Sequence, residues 1–273
     1  MNSSQDASVE NAILGHYVID TKSILNEAWQ QTKQSRVSIN VGILFVLLLG
    51  TLVSLIASSF IGGVEAVIND PKASMILNIF VTVVIWPFLA GIEMMGVYHS
   101  LGKRTQAKMV FGFLNRGSWV ALCALLTSLL ISLGFQLLIV PGIFLAVVLS
   151  LTIPLVVDKK LSPTKAVKIS IQALRFKFFK LLSLYMILFM ILTLLVFPIA
   201  LLADSSFSPI AIAFFLFCMT FLAPFYYNVK GILYRDIFGV SSIEGESNLQ
   251  QSGDSPDSSQ RDSKKDNDDI FSA

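Results

Sequence analysis

A single carboxylate, Glu93, lies well inside an apolar stretch of this 273-residue chain. An acid at membrane depth costs about 3 kcal/mol and defaults to a function, as a proton relay or a cation site. Such chemistry needs partners, and the sequence offers Asn78, Gln136 and Asn228 in neighbouring apolar segments. Their places along those segments do not match Glu93 in depth. The plainer expectation is a side chain that snorkels to water at the membrane edge. His16 and His99 have no His, Cys or carboxylate at metal-ligand spacing. His99, beside Tyr98, is expected at the interface. Cys123 and Cys218 are single thiols among apolar neighbours, expected to pack rather than to pair. No G-x-x-x-x-G-K-[ST], H-E-x-x-H or G-x-S-x-G string occurs. The sequence therefore predicts no catalytic, cofactor-binding or metal-binding residues, and no enzyme.

What must position these residues is a set of apolar segments. The chain is 54% hydrophobic and 14% charged, too apolar for the surface of a soluble domain of this length. Six segments, 39–60, 75–100, 118–140, 142–157, 179–203 and 209–229, approach or reach the length of a membrane-spanning helix. Nineteen of the twenty Lys and Arg residues fall on one side of them, with only Lys72 on the other. Cytoplasmic loops retain Lys and Arg, so the bias predicts six spans with both termini inside. The expected fold is an all-α polytopic membrane protein. Residues 1–36 form a cytoplasmic segment, 37–240 a six-helix transmembrane domain and 241–273 a disordered cytoplasmic tail rich in Ser, Asp, Asn and Gln. The start of the chain lacks the apolar run of a cleavable signal peptide, so the first span is expected to be retained.

Residues 1–20 are mixed in character. Ile24, Leu25, Ala28 and Trp29 recur at helical spacing opposite Lys22, Asn26 and Lys33, which predicts a short interfacial helix over 21–36. Gly50, Ser54 and Ser58 form a small-residue stripe in the first span. Pro87 interrupts the second span. The third and fourth spans join through Gln136 to Gly142 with almost no polar residue, either as a very tight turn at the outer interface or as a turn buried below it; the short fourth span, with Pro154 in its last turn, suggests a hairpin at Pro141-Gly142 shielded by the other helices. Ser162-Pro163 reads as a helix start. From there Lys165, Lys168, Gln172 and Arg175 make a polar stripe, and Val167, Ile171, Leu174 and Phe178 an apolar one. This predicts an amphipathic helix on the inner leaflet whose Lys165, Lys168 and Arg175 meet anionic lipid. The same lysines also serve simply to fix topology. Basic, partly apolar segments precede the first, third and fifth spans, as three hairpins of one kind would require. Tyr98, Trp119, Tyr226, Tyr227 and Tyr234 fit an aromatic belt.

Apolar-Pro141-Gly142-Ile143, then Pro154 and Asp158, then Ala166 and Ser170 ahead of the next span, form a pattern. With Ala28-Trp29 and Lys33, and with Phe111-Gly112-Phe113, it resembles the membrane domain associated with glycerophosphoryl diester phosphodiesterases and the related YciC-like inner-membrane proteins. The resemblance covers most of residues 20–240. It implies a bacterial inner-membrane protein without the separate soluble domain that carries the diesterase activity, so it brings no catalytic residues. Two functions follow as expectations. One is a non-enzymatic protein acting through contacts with lipids, anionic ones included, or with a membrane-protein partner, and with no nucleic acid. The other is a transporter of a small solute or lipid that uses Glu93 and the proline-broken helices.

Overall fold

The structure, a computed structural model, describes residues 3–202 and 205–241. The tail predicted from 241 lies outside the described residues from 242 onward. Every regular element among the described residues is helical. In chain order these are α1 (Ser3–Ile13), α2 (Thr21–Phe60), α3 (Gly63–Asn69), α4 (Pro71–Ser100), α5 (Gly117–Leu137), α6 (Ile139–Val148), α7 (Thr152–Asp158), α8 (Pro163–Leu174), α9 (Phe178–Leu201) and α10 (Ser208–Phe238). Short 3-10 turns lie at Ala107–Phe111, Leu114–Arg116 and Arg175–Lys177. Six helical segments are long and apolar enough to cross a membrane, so the chain has the architecture of a multi-pass membrane protein.

Asp20 starts α2 by accepting the Lys22 N–H at 3.1 Å. The helix then runs unbroken for 40 residues, about 60 Å, twice the hydrocarbon thickness. The interfacial helix expected over 21–36 is thus the basic end of α2. Its apolar stripe of Ile24 and Ala28 is buried in the protein core, not in lipid. An amphipathic period looks the same whichever apolar medium receives it.

Asp70 caps α4 in the same way, with Pro71 in its first turn. The helix continues past Pro87, and from Ala90 to Ser100 every residue is buried. It lies against the inner half of α10 through two glycines. A Cβ at Gly96 would strike the Tyr227 carbonyl, and one at Gly231 would strike the Gly96 carbonyl. The two backbones touch, as small residues permit in membrane bundles. Pro224 within α10 cannot donate to the Thr220 carbonyl. Asn40 of α2 does so instead, Nδ2 to O, at 2.8 Å.

The expected fourth span is two helices, not one. α6 and α7 are separated at Leu149–Leu151, where Ser150 and Thr152 hydroxyls donate back to the Val147 and Leu149 carbonyls. Pro154 therefore lies in the first turn of α7, where a missing N–H costs nothing, and not in a last turn. The hairpin turn is not shielded either: Leu137, Leu138, Ile139 and Val140 are 68% to 77% exposed. What is tight is the pairing behind it, where a Cβ at Gly134 would lie 3.0 Å from Gly142 Cα and one at Gly142 would enter the Phe135 ring.

α8 begins at Pro163 as expected, but its apolar side is taken by the protein. Ala166, Val167, Ser170, Ala173 and Leu174 are buried, and Ser170 donates to the Val148 carbonyl at 2.5 Å. Lys165, Lys168 and Arg175 are exposed on the other side. The three basic segments thus take three forms: a helix extension, a pair of 3-10 turns and a docked helix. The aromatic belt is also thinner than expected. Tyr98 and Tyr234 are buried, leaving Trp119 and Tyr226 exposed.

The main core gathers at the basic end of the bundle, around α4, α7, α8 and the last turns of α10. Away from it α9 shows Phe189, Met190, Leu194, Phe197 and Leu201 exposed, a surface suited to lipid.

Candidate functional site

Glu93 does not reach water. Its Oε1 accepts from Lys230 Nζ at 2.6 Å, with the two side chains 6% and 7% exposed. The partners named from sequence are elsewhere. Asn78 donates to the Ser74 carbonyl within its own helix, Gln136 is exposed near the hairpin turn, and Asn228 serves His99. Lys230 was hidden because it counts among the flanking charges, yet α10 carries it eight residues short of its end, inside the core. One signal was available: a lone Lys in the apolar run Val229–Leu233 and a lone acid in a span. A buried charge needs an opposite one, so each implied the other. Lys230 Nζ also lies 5.9 Å from the Tyr226 ring centroid. Glu93 Oε2 is enclosed with no hydrogen-bond partner among the described residues. Ser150, in the break between α6 and α7, stands beside Tyr185.

His99 is not interfacial but the buried hub of a polar network. Its Nδ1 is 2.9 Å from Asn228 Oδ1 and 3.1 Å from Ser35 Oγ, and its Nε2 is 2.7 Å from Thr105 Oγ1. The donors can be assigned by following the chain of bonds. Thr32 gives its hydroxyl proton to the Ala28 carbonyl, so Asn228 Nδ2 must donate to Thr32 Oγ1. Asn228 Oδ1 then accepts, which puts the proton on His99 Nδ1. Ser35 gives its proton to the Gln31 carbonyl and accepts from the same Nδ1–H. Thr105 donates to Nε2. Both ring nitrogens have partners, and the arrangement ties α2, α4 and α10 together.

Two further contacts anchor α10. Arg235 grips Glu27 with Nη1 at 2.5 Å and Nη2 at 3.0 Å, and Nη1 also donates to the Ser100 carbonyl at 2.6 Å. Tyr234 donates to Asp158 Oδ2 at 2.8 Å, and Lys159 Nζ lies 3.6 Å from the same oxygen. Burial pushes the Lys159 amine below its usual range, against the pull of Asp158. Tyr17 donates to the Ala173 carbonyl at 2.8 Å, and burial pushes its phenol up to about 12.

Beside this network opens a polar cleft of about 1140 Å³. Gln31, Gln34 and Ser38 of α2 face His99, Lys103 and Thr105 across it. A second, apolar groove of about 430 Å³ runs between α9 and α10, where Trp29 meets Phe221 and Cys218. Arg36 stacks on Phe221 at 4.2 Å.

The predicted site residues therefore scatter. Glu93 joins the core, and Lys165, Lys168 and Arg175 share one exposed side of α8 and the turn that follows. Pro87, Pro141, Gly142 and Pro154 shape helices without lining the cleft. His16 is exposed, Cys123 is buried and Cys218 half-buried. Among the described residues no three His, Cys, Asp or Glu side chains converge. No protein-family model matches the chain, nor does any curated protein or solved structure.

Proposed function

We propose that this chain is a non-enzymatic membrane protein that works by contact with anionic lipid, or with a membrane protein beside it, at its basic end. The observation that carries this is α8. Its apolar side is consumed by the protein core, so Lys165, Lys168 and Arg175 are fixed outward on a rigid support. Each Lys or Arg near an anionic surface contributes about 1 kcal/mol of attraction. The charge bias supports a cytoplasmic position for this end and for both termini. The resemblance of the sequence to YciC-like proteins supports a bacterial inner membrane.

Spin-labelled anionic and neutral lipids, compared for immobilisation at the reconstituted protein, test this reading. A several-fold preference for the anionic lipid is expected, and Lys165→Gln/Lys168→Gln/Arg175→Gln should reduce it. A preference unchanged by the triple substitution counts against lipid contact through α8.

The second reading is transport of a small solute or lipid, and one observation favours it. Glu93 Oε2 is enclosed without a partner next to a broken helix, a setting in which transporters hold coupling ions. Wild-type flux of an identified substrate through Glu93→Gln protein would remove Glu93 from any such mechanism.

A further inference from the structure

The polar cleft has a charge balance that the lipid-contact reading does not use. Its one acid, Glu27, is held by the two-pronged grip of Arg235, which also pairs with Asp236 at 2.8 Å. Lys103 and Arg104, on the loop after α4, line the same cleft and form no ion pair with other described residues. The lining is therefore positive. Gln34 and Gln106 add side-chain amides that make no hydrogen bond to the rest of the described chain. Gln31 donates Nε2 to Glu27 Oε1 at 3.0 Å, which fixes its amide orientation. Its Oε1 is thereby left enclosed with no donor. The cleft thus suits a ligand that is anionic and accepts several hydrogen bonds.

The mouth of the cleft has a direction. Val37 and Val41 of α2 line it and are exposed, and Leu44 and Leu48 carry the same exposed face further along the helix. These positions recur at four, three and four residues, one stripe of an α-helix. A polar head in the cleft would have its apolar tail along this stripe.

We propose that the cleft binds a phosphate-bearing anion, with Lys103 and Arg104 on its charge. The stripe makes the headgroup of a membrane phospholipid the fitting source, and free phosphate the other source of the same chemistry. The proposal rests on the lipid-contact reading for the membrane placement but uses different residues.

The test is native mass spectrometry of the full chain in discs of phosphatidylcholine containing a minority of phosphatidylglycerol. One phosphatidylglycerol per chain should survive activation that strips phosphatidylcholine. Lys103→Gln/Arg104→Gln should weaken it on the order of thirtyfold, at about fivefold for each charge. Both residues are exposed, so the variant folds, and Arg104→Lys should recover most of the binding. The α8 triple substitution should leave the retained lipid in place. If no lipid is retained but inorganic phosphate raises the melting temperature of the wild type and not of the double variant, the site stands and its source is soluble. If the double variant holds phosphatidylglycerol as well as the wild type, or if neither probe binds, the proposal is overturned. A retained lipid without any α8-dependent lipid preference would sink the α8 reading alone.

Discussion

The Glu93–Lys230 pair makes the most demanding prediction, because removing one charge and removing both should differ in kind. At 2.6 Å and nearly out of water, the pair attracts by about 6 kcal/mol at an effective dielectric of 20. Desolvating each ion costs several kcal/mol, so the pair as a whole is close to neutral for stability. Glu93→Gln keeps the desolvation of Lys230 and discards the attraction, which costs about 3 to 5 kcal/mol. That is a large part of the roughly 5–15 kcal/mol that holds a domain together. At about 2–4 °C per kcal/mol for a chain of this size, melting should fall by roughly 10 °C. Glu93→Gln/Lys230→Met removes both charges and should return most of that loss. Cys123 is buried and free, so a thiol-reactive dye reports melting directly. The cycle should give a coupling of about 2 kcal/mol or more. Single losses that simply add in the double variant would refute the account of a mutually dependent buried pair.

Other contacts give smaller, separable effects. Gly231→Ala should cost about 3 kcal/mol, the top of the overpacking range, because the atoms it meets are α4 backbone, whereas Gly50→Ala meets only Ile85 Cδ1 at 3.7 Å and should be tolerated. Asn40→Ala strands the Thr220 carbonyl and should cost about 1 kcal/mol; adding Pro224→Ala, which restores the helical donor, should recover it. Asn228→Leu breaks the His99 network at its centre and should cost about 1–3 kcal/mol in the same melting assay. The Tyr17 phenol rises from 10.0 to about 12 in the fold, so its contribution is complete below about pH 10 and is lost as pH climbs to about 12; Tyr17→Phe should flatten the decline of stability across that window.

The fold class was legible because it depends on quantities a sequence states outright: run length, mean apolarity and the placement of Lys and Arg. The helix start at Ser162-Pro163 was read from the sequence, whereas the caps at Asp20 and Asp70 were not, although the same local signal was there. What failed was the question of what each apolar face touches. The stripes of Ile24 and Ala28 and of Val167 and Leu174 suit lipid and protein equally, and only the assembled bundle decides between them. The break at Leu149–Leu151 carries no glycine or proline of its own. α6 and α7 share α5 and α8 as neighbours and differ in that α6 also meets α9 and α7 also meets α4, which a local sequence pattern does not reveal.

The candidate site was less legible still. Glu93 was singled out correctly as costly, but its partner was sorted by sequence distance with the flanking lysines. Thr32, Asn228 and the pair His99 and Thr105 come from three separate stretches and meet only when α2, α4 and α10 are side by side. The antiparallel register of α2 against α10 is what brings Glu27 to Arg235 and Thr32 to Asn228. That register is set by packing, with Gly96 and Gly231 deciding how closely α4 can join, and the pattern of each helix alone does not encode it.

The reading of lipid contact through α8 requires the basic end to face the anionic cytoplasmic leaflet. Impermeant maleimide labelling of intact cells tests this most directly, using single cysteines at the exposed positions Asn69 and Gln172 in a background with Cys123→Ala and Cys218→Ser. Asn69→Cys should react from outside, and Gln172→Cys only after the cells are opened. Labelling of Gln172→Cys in intact cells would place α8 on the wrong side and contradict the account.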